Sequence, residues 1–453
     1  MSQEEVIDFL EKWKPQTTAK KRSLTRQTNS RNEPQTEKFY SAIDDLTDCW
    51  KLQYLCLQFS LGGVEMTSGA NRFWALLVIQ GSGLFLALVV SLLLISGCSM
   101  SRSPMMTSMG PTSAFVFVAN SGSGTVSVFA MDTSGMLSPV AGSPFSAGAG
   151  AEFMAVDSVH KFLYVSNQDA NNLSAFSINT STGMLTPVPG ARFSTGTMPH
   201  GVAVDMMGRF VFVGNQNDNS VSVFSIISAN GSLAPVAGSP FSGIDSPFGL
   251  ALNPAGTFLY VNNLNANTVS AFHVDSMTGA LSPVARSLLP TGTTPIGLVS
   301  DTAGKFLFVG DHMTDSISAF NINSASGALS RIGGPPATAP NCSSSCHLNP
   351  LRVAVHPMDQ FVYVTNVGAN SVSAFNIGNG SLSPIGVPMS TGQHPFGVAL
   401  DPSGKFLFVA NKVDNNISAF SVNTSTGALT PLSGSPFATG GSAPAGIAIV
   451  PMQ

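Results

Sequence analysis

The chain has 453 residues, 43% of them hydrophobic and 10% charged, with a formal net charge of −4. So weak and mixed a charge balance leaves no basic footprint for nucleic acid. Charge is also uneven: 19 of the 44 Asp, Glu, Lys and Arg residues (24 + 20) precede Met66, and ten basic and fourteen acidic residues follow Cys98.

Residues 1–65 are polar and charged, with runs such as Lys20-Lys21-Arg22. Two readings stand for them. Translation begins at Met66, six residues before Arg72, and the preceding residues come from a start codon assigned too early; or they form a disordered cytoplasmic tail. Residues 66–97 hold a continuous uncharged apolar run, Phe73 to Ile95, long enough to span a membrane. The run ends in Ile95-Ser-Gly-Cys98-Ser behind the positive flank of Arg72, which resembles a bacterial lipoprotein signal with Cys98 as the lipidated residue. The alternative is an uncleaved signal anchor. Residues 98–113, rich in Ser, Met and Pro, read as a tether. The expected location is the cell envelope, lipid-anchored to the membrane, with the remainder on the periplasmic or extracellular side.

From Ala114 to the end, one string of about 48 residues recurs seven times. Each copy carries an apolar run such as Gly201-Val-Ala-Val-Asp205, a turn, a run such as Phe162-Leu-Tyr-Val-Ser-Asn167, a polar loop, a third run such as Asn172-Leu-Ser-Ala-Phe-Ser-Ile178, and a Thr-Gly turn before a short fourth. Asn120, Asn167, Asn215, Asn263, Asp311, Asn366 and Asn411 each close the second run of a copy. The runs are short and rich in Val and Phe, and Asn230-Gly231 and similar turns bound them, which predicts strands. Four short strands per unit at this period predict an all-β fold: a seven-bladed β-propeller of four-stranded antiparallel blades over 114–453. The first copy lacks its first strand, and Gly446-Ile-Ala-Ile-Val450 is a first strand with nothing after it. Pairing Gly446–Val450 beside Phe115–Ala119 closes the ring and removes its sheet edges. A closed ring of this kind is expected to be a monomer.

Cys49 and Cys56 fall in the N-terminal segment; Cys342 and Cys346 are the only thiols of the repeat region, in a loop about seven residues longer than its counterparts. They read as a small disulfide-closed loop. The adjacent His347 makes Cys-x-x-x-Cys-His a loose relative of haem attachment sites, with the spacing one residue too long and no evident second axial ligand. No cofactor is expected.

The repeats resemble the lactonase-type seven-bladed propellers, the group that includes 6-phosphogluconolactonase and the carboxymuconate-lactonizing cycloisomerases. They are also similar to exported propellers named for a Tyr-Val-Thr-Asn strand, which Phe361-Val-Tyr-Val-Thr-Asn366 carries; Asp401-Pro-Ser-Gly-Lys-Phe406 matches the family's first hairpin turn. The resemblance implies lactone hydrolysis by His, Arg and Glu residues near the ring axis. Pro199-His200 matches the family's Pro-His; Val202 stands where a second His is expected, Pro350-Leu-Arg352 is one residue out of step with Pro-Arg-His, and Gln216, Val367 or Lys412 stands where a Glu often follows the strand-ending Asn.

With the first strand innermost, the residues that open each first strand ring the channel mouth: by register Glu152, His200, Phe248, Ile296, Leu351, Phe396 and Ala445. Glu152 is the only Glu after Glu65. A His beside a carboxylate can act as a general base on water, and Arg352 or Arg192 can steady an oxyanion. This gives Glu152, His200 and Arg352 as the candidate catalytic set, against the plainer reading of two hydrated polar residues at a wet channel. Phe248, Phe396, Asp311, His312 and Asn215 are the candidate binding rim. Asp311-His312 offers too few ligands for a metal, and Asn215-Gln-Asn-Asp218-Asn and Asn411-Lys-Val-Asp414-Asn read as Asx turns rather than calcium loops; no metal is expected. His356 and His394 read as structural. Two functions stand: a hydrolase acting on a small-molecule lactone or sugar-acid ester, or a non-catalytic module whose rim recognises an envelope glycan, peptide or protein.

Overall fold

The structure, a computed structural model, describes residues 111–452 apart from 158, 160, 286 and 334–346. Cys98, Cys342 and Cys346, with the lipidation and disulfide assigned to them, lie outside the described residues. So do the N-terminal segments before the tether's end. Among the described residues there are strands and turns but no helix, and hence none long and apolar enough to cross a membrane.

Seven antiparallel sheets form, six of them with their strands in sequence order. Blade 3 runs Pro199–Val204, Phe210–Asn215 and Ser220–Ile226 from the axis outward, and its outermost position is filled by two short pieces, Leu233–Pro235 and Phe241–Ser242. Blade 1 is the composite one. Pro444–Pro451 pairs antiparallel with Thr112–Asn120, setting Phe117 opposite Ala448 and Phe115 opposite Val450. The pairing runs from Ala114 opposite Pro451 to Asn120 opposite Pro444, with a shift in register between Val118 and Asn120.

The second strands are buried along their whole length in most blades, as in Phe162–Asn167. A strand with a neighbouring blade on each face has no solvent side, so its residues read as a continuous apolar run rather than an alternation. Each interface interdigitates adjacent blades: Tyr164 of blade 2 packs with Val211 and Val213 of blade 3, and Phe408 of blade 7 with Val116 and Val118 of blade 1. A fully buried Phe or Val side chain contributes about 1.5–3 kcal/mol. Three interfaces are also pinned by phenols: the hydroxyls of Tyr164, Tyr260 and Tyr363 donate to the carbonyls of Gly231, Gly327 and Gly427 in the following blade.

The anchor asparagine has one job in the six copies that carry it. Asn215 Nδ2 donates to the hydroxyls of Ser220 and Ser222 at 3.0 and 2.9 Å, and Asn366 does the same with Ser371 and Ser373. The Asn-rich loops fasten neighbouring blades. The amides of Met198, Ser246, Thr294, His394 and Ala443, all at positive φ, donate to Oδ1 of Asn171, Asn219, Asn267, Asn370 and Asn415. Asp218 and Asp414 accept from the amides of Thr197 and Gln393. These loops spend their oxygens on backbone amides 21 to 28 residues away in sequence, so they tie separate turns of the chain together rather than forming the local Asx turns expected from the sequence. No cluster of three or more metal-ligating side chains occurs among the described residues.

The ring thus has two faces. One rim, the channel mouth, holds these loops and the starts of the first strands. The opposite rim holds the turns between first and second strands, those between third and fourth, and the chain ends at Thr112 and Met452.

Candidate active site

The seven first strands open with the same three-residue pattern. A Pro or Ala comes first, the residue ringing the mouth second, and the third is Gly201, Gly249, Gly297, Gly397 or Gly446 in five blades. These glycines are sites of close approach: a Cβ on Gly249 would sit 2.5 Å from the Ile296 carbonyl oxygen, and one on Gly297 2.5 Å from that of Leu351. In blades 2 and 6 the third residue is instead Phe153 and Arg352. In those blades the second strand supplies a hydroxyl to the backbone amide of this residue. Ser166 Oγ accepts from the Phe153 amide at 3.3 Å, and Thr365 Oγ1 accepts from the Arg352 amide at 3.1 Å while donating to the Phe396 carbonyl.

The two side chains freed in this way meet. The Arg352 guanidinium lies over the Phe153 ring at 3.7 Å and faces Phe396 and Phe248 at 5.5 and 5.8 Å. Phe153 presents edges to Phe248, Phe396 and His200. Burial lowers the Arg352 pKa to about 9, with the Glu152 charge drawing it back up, so the group remains cationic at neutral pH.

Glu152 and His200, from adjacent blades, are 4% and 3% exposed and hydrogen-bonded, Nδ1 to Oε2, at 2.8 Å. The other Glu152 oxygen accepts from Lys412 Nζ at 3.2 Å. Lys412 follows the second strand of blade 7 and reaches past blade 1, whose mouth residue is the small, buried Ala445. Burial alone would push the Glu152 carboxyl up; the His200 hydrogen bond and the charges of His200, Lys412 and Arg352 outweigh it and hold it below its ordinary value. An ionised carboxylate has no proton to give, so Nδ1–H of His200 is the donor, and Nε2 faces away from Glu152. The imidazole stacks on Phe248 at 4.2 Å and 24°. His200 Nε2 and one terminal nitrogen of Arg352 are buried with no hydrogen bond in the protein.

The mouth therefore brings together Glu152, His200, Arg352, Phe248 and Phe396. Asn215 and Asp311 lie beneath the rim, fully buried and engaged with serine hydroxyls. Gly196 and Gly292 pack directly on their side chains. His312 is on the rim in blade 5, and Arg192 is remote, donating to the Ala147 carbonyl. A cavity lined by Asp315, Pro350 and Phe375 lies between blades 5 and 6 under the mouth rim, and one lined by Val372, Met389 and Leu429 lies between blades 6 and 7; neither is lined by Glu152, His200 or Arg352. Phe153 and Lys412 were not singled out for the site from the sequence. Phe153 carries a signal, as one of two breaks in the five-fold glycine pattern; the reach of Lys412 across a neighbouring blade leaves none.

A sequence profile for a family described as lactonase, 7-bladed β-propeller, matches residues 139–242, 239–345 and 347–442. Among solved structures, the chain is similar to a putative 6-phosphogluconolactonase from Bacteroides fragilis, at 20% identity and a TM-score of 0.65, covering 75% of this chain and 98% of that one. It is also similar to a periplasmic gluconolactonase from Pseudomonas aeruginosa, at 17% identity and a TM-score of 0.65, covering 76% of this chain and 100% of that one. No curated protein matches the chain.

Proposed function

The chain belongs to the lactonase family of seven-bladed β-propellers, and on that premise we propose that it is a hydrolase opening a lactone, a cyclic ester of a sugar acid, at the channel mouth. The observation that carries this reading is the buried Glu152–His200 pair with His200 Nε2 left unengaged beside a cationic Arg352. Glu152 holds the imidazole in the tautomer whose Nε2 accepts a proton. His200 takes that proton from water as its oxygen attacks the lactone carbonyl carbon. Arg352 and Lys412 offset the charge on the carbonyl oxygen. The ring C–O bond then breaks, and the leaving alkoxide takes the proton back from His200. The product is the open hydroxy acid.

The test is turnover of a panel of sugar-acid lactones. His200→Ala is expected to lower the rate by roughly a hundredfold or more; because it also strips a buried partner from Glu152 and a stacked ring from Phe248, the rate is read well below the variant's own, lowered, unfolding midpoint. A His200 variant that matches the parent overturns the site. The packing of Phe153, Phe248 and Phe396 across the axis favours a second reading, a rim that binds an envelope glycan, peptide or protein without turnover. An inactive parent whose ligand affinity depends on Phe248 and Phe396 would support that reading instead.

The same proposal puts the protein in the cell envelope with lipid on Cys98, motivated by Ile95-Ser-Gly-Cys98 at the end of the apolar run. Mass spectrometry of membrane-extracted protein is expected to find an acylated Cys98 at the mature N-terminus. A mature chain that retains residues before Phe73 overturns it.

A further inference from the structure

We propose that the outer wall of the ring holds a second binding site, a gap between blades 6 and 7 that takes a phenol, a single aromatic ring carrying one oxygen. The first observation is a missing ring. In blades 1, 2, 3 and 7 the outermost strand carries Phe145, Phe193, Phe241 or Phe437, each opposite an apolar residue of the third strand. A Cβ on the glycine three residues earlier, Gly142, Gly190, Gly238 or Gly434, would meet that phenyl ring at 3.6 to 3.8 Å. In blade 6 the matching residue is Met389, opposite Val372, and nothing lies within 4 Å of a Cβ on Gly386.

The second observation is the space itself. A cavity of about 140 Å³ lies here, with Val372, Ala374, Ile385 and Met389 of blade 6 on one side and Ala428 and Leu429 of blade 7 on the other. Its lining side chains are all apolar. Gly386 and Val387 form its lip and are exposed, Val387 to 58%, so the cavity opens on the outer wall. An apolar cavity of ~150 Å³ stays dry and accepts a molecule the size of benzene.

The third observation is an amide. In blades 1, 3 and 7 a serine stands two residues before the phenylalanine. Its Oγ accepts from the amide of Val128, Val223 or Ala419 in the third strand, at 2.8 to 2.9 Å. In blade 6 the connecting segment is one residue shorter than in blade 7, and Val387 stands in the serine's place. The matching amide is that of Ala374, which lines the cavity. The Ala374 carbonyl accepts from the Ile385 amide. In an antiparallel strand the N–H and C=O of one residue point to the same side, so this N–H also faces the outer strand, with no serine there to meet it. Blade 6 has lost together the ring and the oxygen that other blades place in this space, and a phenol restores both. Its ring packs between Met389 and Leu429, and its oxygen accepts from Ala374. The site is independent of lactone hydrolysis.

The experiment titrates the full chain, held in detergent and dialysed to equilibrium with the probe, while the methyl resonance of Met389 is followed by NMR. The probes are phenol, toluene and hexanol, and calorimetry gives their affinities. Phenol is expected to shift the Met389 resonance saturably. It is expected to bind roughly fivefold more tightly than toluene, the difference of one hydrogen bond, and more tightly than hexanol, which has the oxygen but no ring. Met389→Phe supplies the missing ring from the chain itself. It is expected to weaken phenol binding about tenfold or more and to melt no lower than the parent. Val387→Ser is expected to remove the preference for phenol over toluene. A Met389 resonance that does not saturate before phenol unfolds the ring overturns the proposal, and so does phenol affinity unchanged by Met389→Phe. Toluene or hexanol bound as tightly as phenol overturns the ligand class. A Met389→Phe variant that melts below the parent overturns the proposal as well, because the gap is then not shaped for a ring.

Discussion

Asp311→Asn is expected to stabilise the ring at neutral and alkaline pH. Six copies end the second strand with Asn, whose Nδ2 donates to two side-chain oxygens five and seven residues on; blade 5 alone has Asp311. There the direction of donation inverts: Ser318 and Ser316 donate to Oδ2 at 2.6 and 3.4 Å, and Oδ1 is a buried atom with no hydrogen bond in the protein. Burial raises the Asp311 pKa from 3.8 to about 6, against the lowering pull of the Ser318 hydroxyl, the Gly292 amide, Ser316 and Arg331. A rise of about two units corresponds to about 3 kcal/mol at most. A carboxyl with a raised folded-state pKa favours folding in full below its unfolded pKa and loses that contribution as pH rises through the folded value. The wild type therefore forfeits up to ~3 kcal/mol between about pH 4 and pH 7, and the Asn variant, with no proton to lose, does not. With roughly 2 cal/mol/K per residue and about 340 residues in the ring, the midpoint difference is about 4 °C at pH 8 and near zero at about pH 4. Thermal unfolding of both proteins across this range measures it. A variant that tracks the wild type at every pH, or that gains stability toward acid, refutes the reasoning.

Gly297→Ala is expected to cost about 1–3 kcal/mol, because its Cβ would press on the Leu351 carbonyl oxygen and part blades 5 and 6; Gly333→Ala, with nothing within 4 Å, is the neutral control in the same melts. Ending the chain after Thr439 removes Pro444–Pro451 and exposes the inner edge of Thr112–Asn120. Loss of cooperative unfolding, or aggregation on a sizing column, is the expected outcome, and an unchanged melt would contradict ring closure by this strand.

The blades were legible because a repeat presents the same short-range signals seven times, and the spare strand at one end matches the missing one at the other. Glu152 and His200 were legible for a related reason: register alone assigns the residue that opens each innermost strand. Burial was less accessible. Asn215 and Asp311 end their strands at the mouth, and strand pattern places them on the rim. Their side chains turn under the loop because Gly196 and Gly292 let the connection that enters the same blade close over them, a packing relation between separate turns of the chain. Lys412 was harder still. Its bond to Glu152 spans blades 7, 1 and 2 and depends on Ala445 being small, so no local pattern announces it.

The asymmetry of the mouth follows from one further departure. Five blades approach one another through glycine at the third position of the first strand, and a ring built only of such blades would have a uniform, tightly packed axis. Blades 2 and 6 give up that approach. Each replaces the glycine with a large side chain, whose amide donates to a hydroxyl of the second strand, Ser166 or Thr365. Phe153 and Arg352 then meet across the axis above Glu152 and His200, so the cation, the imidazole and the carboxylate occupy one apolar enclosure. In that enclosure the field of each charge on the others is screened far less than in water. The fold delivers seven near-identical strand openings; chemistry enters only where Glu152, His200, Phe153, Arg352 and Lys412 break the repeat.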